Sequence, residues 1–392
     1  MADRFIDLIR LLKPLNKKQK EGLDEISTCV EAEDSEEIKK LLKQGKISFV
    51  ESRLKATRKV ADSGCFYTLN ADTSDKNISE YVSKMNEQIT RKVEHRNFKS
   101  FSKKAQEIIQ EYIGINIEGF EIIKKAIALQ LFATERVHIL LLGDPGTGKT
   151  DMLRDATSLH PISSFGLGSG TTGAGLSITV KGKEVTKGLL PLADGGVCAI
   201  DELNLMESKE RASLYNAMEK GFVTYDKAGS HYKFDARVRV LSTANPKGDK
   251  FSGKDIDALK KQLPFDPALL SRFHLVFLIR KPDIKQFMNI TKSIIRRKTT
   301  DKNKDEEFIR EYVSYAEKIE VTVPKEFENE IMQFVEEIKK HEDKYLIEVS
   351  PRLVLGFLRL AMASARMRLE SKVKKEDIEL VKKIINEGLK TE

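Results

Sequence analysis

The stretch GDPGTGKT, residues 143–150, decides how this chain folds. It follows the apolar run 137–142 and precedes a helical pattern from residue 151, so the order is strand, glycine loop, helix. Glycines in the loop let backbone N–H groups turn inward around phosphate oxygens. The helix directs the positive end of its dipole at the same phosphates. The stretch therefore predicts a P-loop that binds a nucleoside triphosphate.

Two side chains of this loop have the chemistry that a triphosphate and its metal require. Lys149 can reach the β- and γ-phosphates, and the Thr150 hydroxyl can join the coordination shell of Mg²⁺. The cofactors predicted from these residues are ATP and Mg²⁺. The other predicted nucleotide-binding residues of the loop are Gly143, Asp144, Pro145, Gly146, Thr147 and Gly148.

Composition places the chain among globular proteins of two or three domains. Of its 392 residues, 40% are hydrophobic and 33% charged, and the net charge of +8 permits nucleic-acid binding without establishing it. No apolar run is long enough to span a membrane, and acids interrupt the first residues where a secretory signal would be apolar. The three widely separated cysteines favour a reducing compartment, so we expect a cytoplasmic protein: Cys29, Cys65 and Cys198.

Hydrophobic periodicity divides the chain into three parts. Residues 1–100 are predicted to form a small, mainly helical N-terminal domain, with helical patterns at 5–12 and 78–93. Residues 283–392 are predicted to form a helical lid. Between them, residues 101–282 alternate strands with helices, which predicts an α/β core with a mostly parallel sheet. The predicted strands of this core are 137–142, 197–200, 238–242 and 275–279.

Polar residues follow three of these predicted strands. Asp201 and Glu202 end the second strand, where Asp201 would lie beside Mg²⁺ and Glu202 would polarise an attacking water. Asn245 follows the third strand, where its amide could hold that water or the γ-phosphate, or serve only as a turn residue. Arg272, in Leu-Leu-Ser-Arg-Phe, is either a surface cation or an arginine finger for a neighbouring subunit. Arg352 opens a lid helix that would hold its guanidinium rigidly.

Several runs together resemble the minichromosome maintenance (MCM) family of AAA+ replicative helicases. They are HILLLGDPGTGKT, LADGGVCAIDELNLM, AMEKGFVTYDKAGSHYKFDARVRVLSTANPK, DPALLSRFHLVF and SARMRL, in family order over about residues 108–388. The resemblance implies a hexameric ring with ATP between subunits. It assigns Lys149 and Thr150 to the Walker A motif and Asp201 and Glu202 to the Walker B motif. It also assigns the sensor 1, arginine-finger and lid-sensor roles to Asn245, Arg272 and Arg352, respectively.

The same resemblance identifies candidate DNA-binding residues. Residues 222–239 alternate as a β-hairpin around Lys227-Ala228-Gly229 and resemble the family's presensor hairpin, which projects into the ring channel. Lys227 and Lys233 are the candidate contacts on it. Residues 166–187 resemble a second channel-facing insertion, with Lys183 as its candidate contact. Read from charge alone, these lysines are ordinary solvated cations.

The resemblance weakens near both ends of the chain. The first 100 residues are too few for the zinc module and oligonucleotide-binding barrel of family members, and we expect neither there, nor a winged-helix tail after the lid. Among smaller departures, His274 stands where relatives carry Asp.

The favoured function is an ATP-driven motor that translocates on DNA as a homo-hexamer, with replication proteins as possible partners. A MoxR- or chelatase-like ATPase that remodels protein complexes is the alternative, and a non-catalytic nucleotide-dependent scaffold the third hypothesis.

Overall fold

The computed structural model describes part of the chain in two compact units, residues 1–103 and residues 104–392. The described residues are 47–50, 66–69, 97–181, 184–227, 230–248, 250–253, 255–281, 284, 288, 291 and 302–390. In this part of the chain, no helix combines the length and the apolar composition needed to cross a bilayer.

The first unit contains an antiparallel strand pair that the sequence analysis missed. Strands β1 (Ile47–Val50) and β2 (Phe66–Leu69) pair with Ile47 opposite Leu69. The helices predicted at 5–12 and 78–93 lie outside the described residues, so the mainly helical character of this region stays a prediction.

The second unit is built around one parallel sheet with the strand order β11-β3-β10-β7-β4. All four pairings in it are parallel, as predicted for the core. Its strands, together with those of two small hairpins, are β3 (Ile139–Gly143), β4 (Ser163–Leu167), β5 (Ile178–Lys181), β6 (Glu184–Lys187), β7 (Val197–Asp201), β8 (Phe222–Lys227), β9 (Ser230–Asp235), β10 (Arg239–Ala244) and β11 (Leu275–Ile279).

Burial explains which strands could be predicted from the sequence. Every residue of β3, β7 and β10 is buried, because helices cover both faces of the sheet, and such strands are nearly continuous apolar runs. Cys198 is a free cysteine buried within β7, where it packs in the core of the sheet. The edge strand β4 has the partly exposed sequence SSFGL, without an apolar run or regular alternation, and was not predicted.

The helices flank the sheet and continue into the lid. They are α1 (Ala105–Tyr112), α2 (Glu121–Leu131), α3 (Lys149–Leu159), α4 (Gly173–Leu176), α5 (Leu189–Leu192), α6 (Ala212–Lys220), α7 (Ile256–Lys261), α8 (Pro267–Leu270), α9 (Lys302–Ala316), α10 (Glu328–Lys340), α11 (Pro351–Met367) and α12 (Lys375–Leu389). Helices α11 and α12 pack against each other and against α2, and α12 also contacts β11. The lid helices therefore share a core with the sheet and its flanking helices.

A buried polar network joins the lid to the base of the sheet. Arg239, at the start of β10, donates to the Glu317 carboxylate just after α9 at 3.1 Å and to the carbonyl of Gly195 at 2.7 Å. His160 lies within hydrogen-bond distance of both partners, 2.7 Å from Arg239 and 3.2 Å from Glu317. Burial opposes ionisation of Glu317, but its contacts with His160 and Arg239 outweigh burial and lower the pKa of the carboxyl. The lid is thus anchored by a desolvated ion pair.

Candidate active site

The P-loop adopts the open curve that a phosphate chain requires. It connects the carboxyl end of β3 to the amino end of α3, and Gly146 and Gly148 both take left-handed conformations, with φ of 76° and 83°. Such angles are costly for residues with a β-carbon. No described atom lies within 4 Å of where a β-carbon at Gly146 would stand, so there is open space beside this residue.

Lys149 is buried against its own loop. Its Nζ donates to the carbonyl oxygens of Gly143 at 2.8 Å and Asp144 at 2.6 Å, and its residue is 7% exposed. Burial lowers its pKa from 10.5 to about 8, although Asp144, Asp201 and Glu202 act in the opposite direction. A bound polyphosphate would raise this pKa again, because it adds negative charge that favours the protonated form.

Asp144 fixes the entrance of the loop. One carboxylate oxygen accepts from the backbone N–H of Phe251 and the other from that of Lys281, both at 3.1 Å. Its own N–H donates to Ile279 at the end of β11. The sequence analysis assigned Asp144 to nucleotide binding, but its carboxylate is turned toward the protein backbone, so we interpret its contribution as holding the loop in shape.

The Walker A threonine and the Walker B acids meet at the carboxyl edge of the sheet. Thr150 Oγ1 donates to the Asp201 carboxylate at 2.9 Å. Thr243, near the end of the adjacent strand β10, donates to Asp201 Oδ1 at 2.5 Å and accepts from the backbone N–H of Glu202 at 2.8 Å. Thr243 therefore ties both acids to the neighbouring strand. Its role was missed in the sequence because it depends on β7 and β10 being neighbours.

Glu202 projects from a strained position at the end of β7. Its φ of 51° and ψ of 46° lie in the left-handed region, which is uncommon for a residue with a β-carbon. No hydrogen bond from the described residues fixes its carboxylate, whereas its backbone is held by Thr243. Backbone strain of this kind persists where the surrounding structure imposes it. The arrangement presents a carboxylate that is free to bind water.

Asn245 follows β10 on the same edge. Its backbone N–H donates at 3.0 Å to Oδ1 of Asn204, in the turn after Glu202. This contact between Asn204 and Asn245 was not predicted from the sequence. The structure thus brings Lys149, Thr150, Asp201, Glu202 and Asn245 to one edge of the sheet.

Arg272 and Arg352 lie together, apart from this group. Arg352 donates to the carbonyl of Ser271 at 2.7 Å, which places it next to Arg272. Arg272 binds Glu219 at 2.9 Å, donates to the carbonyl of Ala268 and lies over the ring of Tyr215. Neither arginine makes a hydrogen bond or ion pair with residues 143–150 of its own chain within the described structure. The two arginines form what we call the arginine edge: Arg272 and Arg352.

The predicted hairpin forms as β8 and β9, which pair antiparallel from Phe222 opposite Asp235 to Lys227 opposite Ser230. Lys233 is exposed on β9, and its Nζ lies 4.2 Å from the centre of the Phe222 ring. Strands β5 and β6 form a second hairpin that contacts the first, with Lys187 over the ring of Phe234. Lys183 and the side chain of Lys227 lie outside the described residues, so their DNA contacts stay predictions.

Comparison with known families agrees with this geometry. The MCM P-loop domain model matches residues 94–298, and the MCM AAA-lid domain model matches residues 307–389. The chain belongs to the MCM family. The resemblance and the fold class proposed from sequence are therefore confirmed, namely an AAA+ core of parallel strands and helices followed by a helical lid.

Individual relatives align with about two thirds of the chain. The minichromosome maintenance protein MCM of Saccharolobus solfataricus is 32% identical over 291 residues, which are 68% of this chain and 42% of that protein. The DNA replication licensing factor MCM7 of Arabidopsis thaliana is 32% identical over 292 residues, 67% of this chain and 40% of its own length. The DNA replication licensing factor MCM4 of Drosophila melanogaster is 32% identical over 297 residues, which are 68% of this chain and 34% of that protein. This MCM chain thus aligns with roughly two fifths or less of the length of these relatives.

The residues on the P-loop side fit a magnesium–triphosphate complex. The donor set is an ammonium group, a threonine hydroxyl and a carboxylate, beside a loop with open space at Gly146. Hard oxygen donors suit Mg²⁺, and a P-loop lysine suits phosphate. We infer that Thr150 and Asp201 would hold the metal and that Lys149 would hold the phosphates.

Proposed function

We propose that this MCM-family chain is an ATP hydrolase that works as a motor on DNA, in a ring where the arginine edge of one subunit completes the site of its neighbour. The observation that carries the proposal is the cluster of Thr150, Asp201, Thr243 and Glu202, in which one hydroxyl fixes both acids. A scaffold that only binds nucleotide has no need of such an arrangement.

Within one subunit, each residue has a separate task in hydrolysis. Lys149 holds the β- and γ-phosphate oxygens, and Glu202 orients a water molecule and accepts its proton as the water attacks. Asn245 stands beside Glu202 to position the same water or the γ-phosphate. Thr150 and Asp201 would hold Mg²⁺, which when bound would supply positive charge beside the phosphate oxygens.

The arginine edge supports a site shared between subunits. Phosphoryl transfer develops negative charge on the phosphate oxygens, and a planar guanidinium is well suited to stabilise it. Arg272 and Arg352 are bound to Glu219 and Ser271 and make no contact with their own P-loop in the described structure. We therefore assign them to the γ-phosphate of a neighbouring subunit, with a homo-hexamer as the proposed assembly.

The paired hairpins support DNA as the substrate. They carry Lys227, Lys233 and Lys183, and one ring of lysines in a hexamer would present repeated positive charge to a phosphate backbone. The names of the relatives MCM7 and MCM4 as DNA replication licensing factors agree with this assignment. Replication proteins are accordingly the proposed partners, within a cytoplasmic replication system.

The test is ATPase activity with and without single-stranded DNA, together with strand displacement on a forked duplex. We expect stimulation and unwinding from the wild-type protein. Lys227→Ala should abolish the stimulation and keep basal hydrolysis, whereas Lys209→Ala, at an exposed surface ion pair, should behave as wild type. Hydrolysis that is indifferent to DNA would contradict the motor and favour a MoxR-like remodelling ATPase.

A further inference from the structure

The surroundings of Arg272 form a defined cradle on helix α6. Glu219 Oε2 accepts from Arg272 Nη2 at 2.9 Å, and the Arg272 guanidinium carbon lies 4.8 Å from the centre of the Tyr215 ring. Tyr215 and Glu219 are four residues apart and so lie on one face of α6. Opposite them, the carbonyl of Ala268 in α8 accepts from Nη1. The guanidinium is thus held from three sides.

One nitrogen of the Arg272 guanidinium group makes no hydrogen bond within the cradle. Arg272 Nε is buried, and among the described residues it has no hydrogen-bond partner. A buried donor without a partner is unfavourable, so the cradle orients the side chain without satisfying it. Nη1 and Nη2 each donate one hydrogen bond within the cradle and carry two N–H groups, so Arg272 retains donors for a further acceptor such as a phosphate oxygen.

The cradle is itself firmly attached. Helix α6 ends at Gly221, whose N–H donates to the carbonyl of Ala217 and whose carbonyl accepts from Ala236 after β9, at the base of the first hairpin. Tyr215 Oη also lies 3.5 Å from Asp266, the residue that caps α8.

We propose that Tyr215 and Glu219 are positioning residues for Arg272 and act in the hydrolytic site of the neighbouring subunit. This inference rests on the proposed function, because it assumes that Arg272 works across the subunit interface. Stacking on Tyr215 sets the plane of the guanidinium, and Glu219 sets its rotation. Both contacts are at the protein surface and individually weak, so they can yield when the arginine meets phosphate.

The first experiment compares two matched pairs of variants. Glu219→Gln removes the charge that holds Nη2, and we expect turnover to fall roughly tenfold while nucleotide affinity stays unchanged, since positioning shells contribute about that much. Tyr215→Leu should have a similar effect, whereas Tyr215→Phe, which keeps the aromatic face, should retain turnover. Glu207→Gln is the control for Glu219→Gln, because Glu207 is an exposed acid whose ion pair is with Lys209. Unchanged turnover in both Glu219→Gln and Tyr215→Leu would overturn the inference.

The second experiment tests whether the effect crosses the interface. Glu219→Gln subunits, which keep an intact P-loop, are mixed with Lys149→Ala subunits, which keep an intact cradle. In an equimolar mixture roughly one interface in four combines the two intact halves, so turnover should recover in part. If Glu219→Gln instead impaired hydrolysis at the P-loop of its own subunit, turnover of the mixture would not recover.

A parallel mixture separates this inference from the proposed function. Arg272→Ala subunits mixed with Lys149→Ala subunits report on the shared site itself. Recovery in that mixture without recovery in the Glu219→Gln mixture would overturn the positioning role and leave the shared site standing. Recovery in neither would overturn both.

Discussion

The P-loop side of the site and the arginine edge differ in what holds their charged side chains. Lys149 and Asp201 are 7% and 5% exposed and are bound by carbonyl oxygens and hydroxyls of their own subunit. The Arg272 side chain is 19% exposed and is held by Glu219, itself 48% exposed, and by an aromatic face. The first half is thus preorganised by burial, whereas the second is presented at a surface. This difference supports a site divided between subunits, and four predictions test it.

The largest expected effect comes from Glu202, the carboxylate that we propose as the catalytic base. Glu202→Gln should lower turnover by about 10²- to 10⁴-fold, because general-base catalysis contributes that much, while ATP binding is retained. Turnover and nucleotide affinity measured on the same protein check this, with Glu207→Gln as the control. Unaltered hydrolysis would remove Glu202 from the mechanism.

The next effect is on stability. Asp144→Ala removes a buried carboxylate that accepts from two backbone N–H groups, and we expect the free energy of unfolding to fall by about 2–4 kcal/mol. Asp151→Ala, at an exposed position on α3, should change it by less than about 0.5 kcal/mol. Urea unfolding measures both. Equal losses of unfolding free energy in the two variants would show that the buried carboxylate of Asp144 does not stabilise the P-loop half of the site more than an exposed one does.

A smaller effect is expected from the hydroxyl that ties the acids together. Thr243→Val should reduce turnover about 10- to 100-fold and raise the Mg²⁺ concentration needed for half-maximal activity, because Asp201 loses a positioning donor. The control is Ser242→Ala, since the Ser242 hydroxyl is buried without a hydrogen-bond partner among the described residues. A magnesium requirement that does not change would contradict the role assigned to Thr243.

The smallest expected effect is the uptake of a proton by Lys149 when nucleotide binds at alkaline pH. The pKa of Lys149 in the nucleotide-free protein is about 8, lowered by burial, and bound phosphates should raise it. Below pH 8 Lys149 is protonated in both states, so binding is independent of its titration. Above pH 8 binding takes up a proton, and Kd should rise by at most about tenfold per pH unit. Calorimetry of a non-hydrolysable analogue at alkaline pH, in buffers of different ionisation enthalpy, measures the uptake; its absence would show that Lys149 does not titrate there.

Sequence reasoning succeeded where a structural element is coded by contiguous residues. The strand predicted at 275–279 matches β11, and the P-loop and the Asp201–Glu202 pair lie where the pattern placed them. Parallel strands bring their carboxyl ends to one edge, so this half of the site follows from local motifs alone.

The missed features depend on contacts between distant segments. Thr243 acquires its role only because β7 and β10 are neighbours, and the cradle of Arg272 joins residues 53 apart in sequence. Strand β4 has little apolar signal because it lies at the edge of the sheet. No local periodicity encodes such pairings, which arise from the order of the strands and the packing of the helices.

The buried network around Arg239 also sets how force can pass through the molecule. A swing of the lid away from its own sheet would separate Arg239 from Glu317 and leave the buried guanidinium with neutral partners only, which is unfavourable. We therefore expect the core and the lid of one subunit to move as one rigid body. In the ring that we propose, displacement would therefore concentrate at the interfaces between subunits, where we place Arg272.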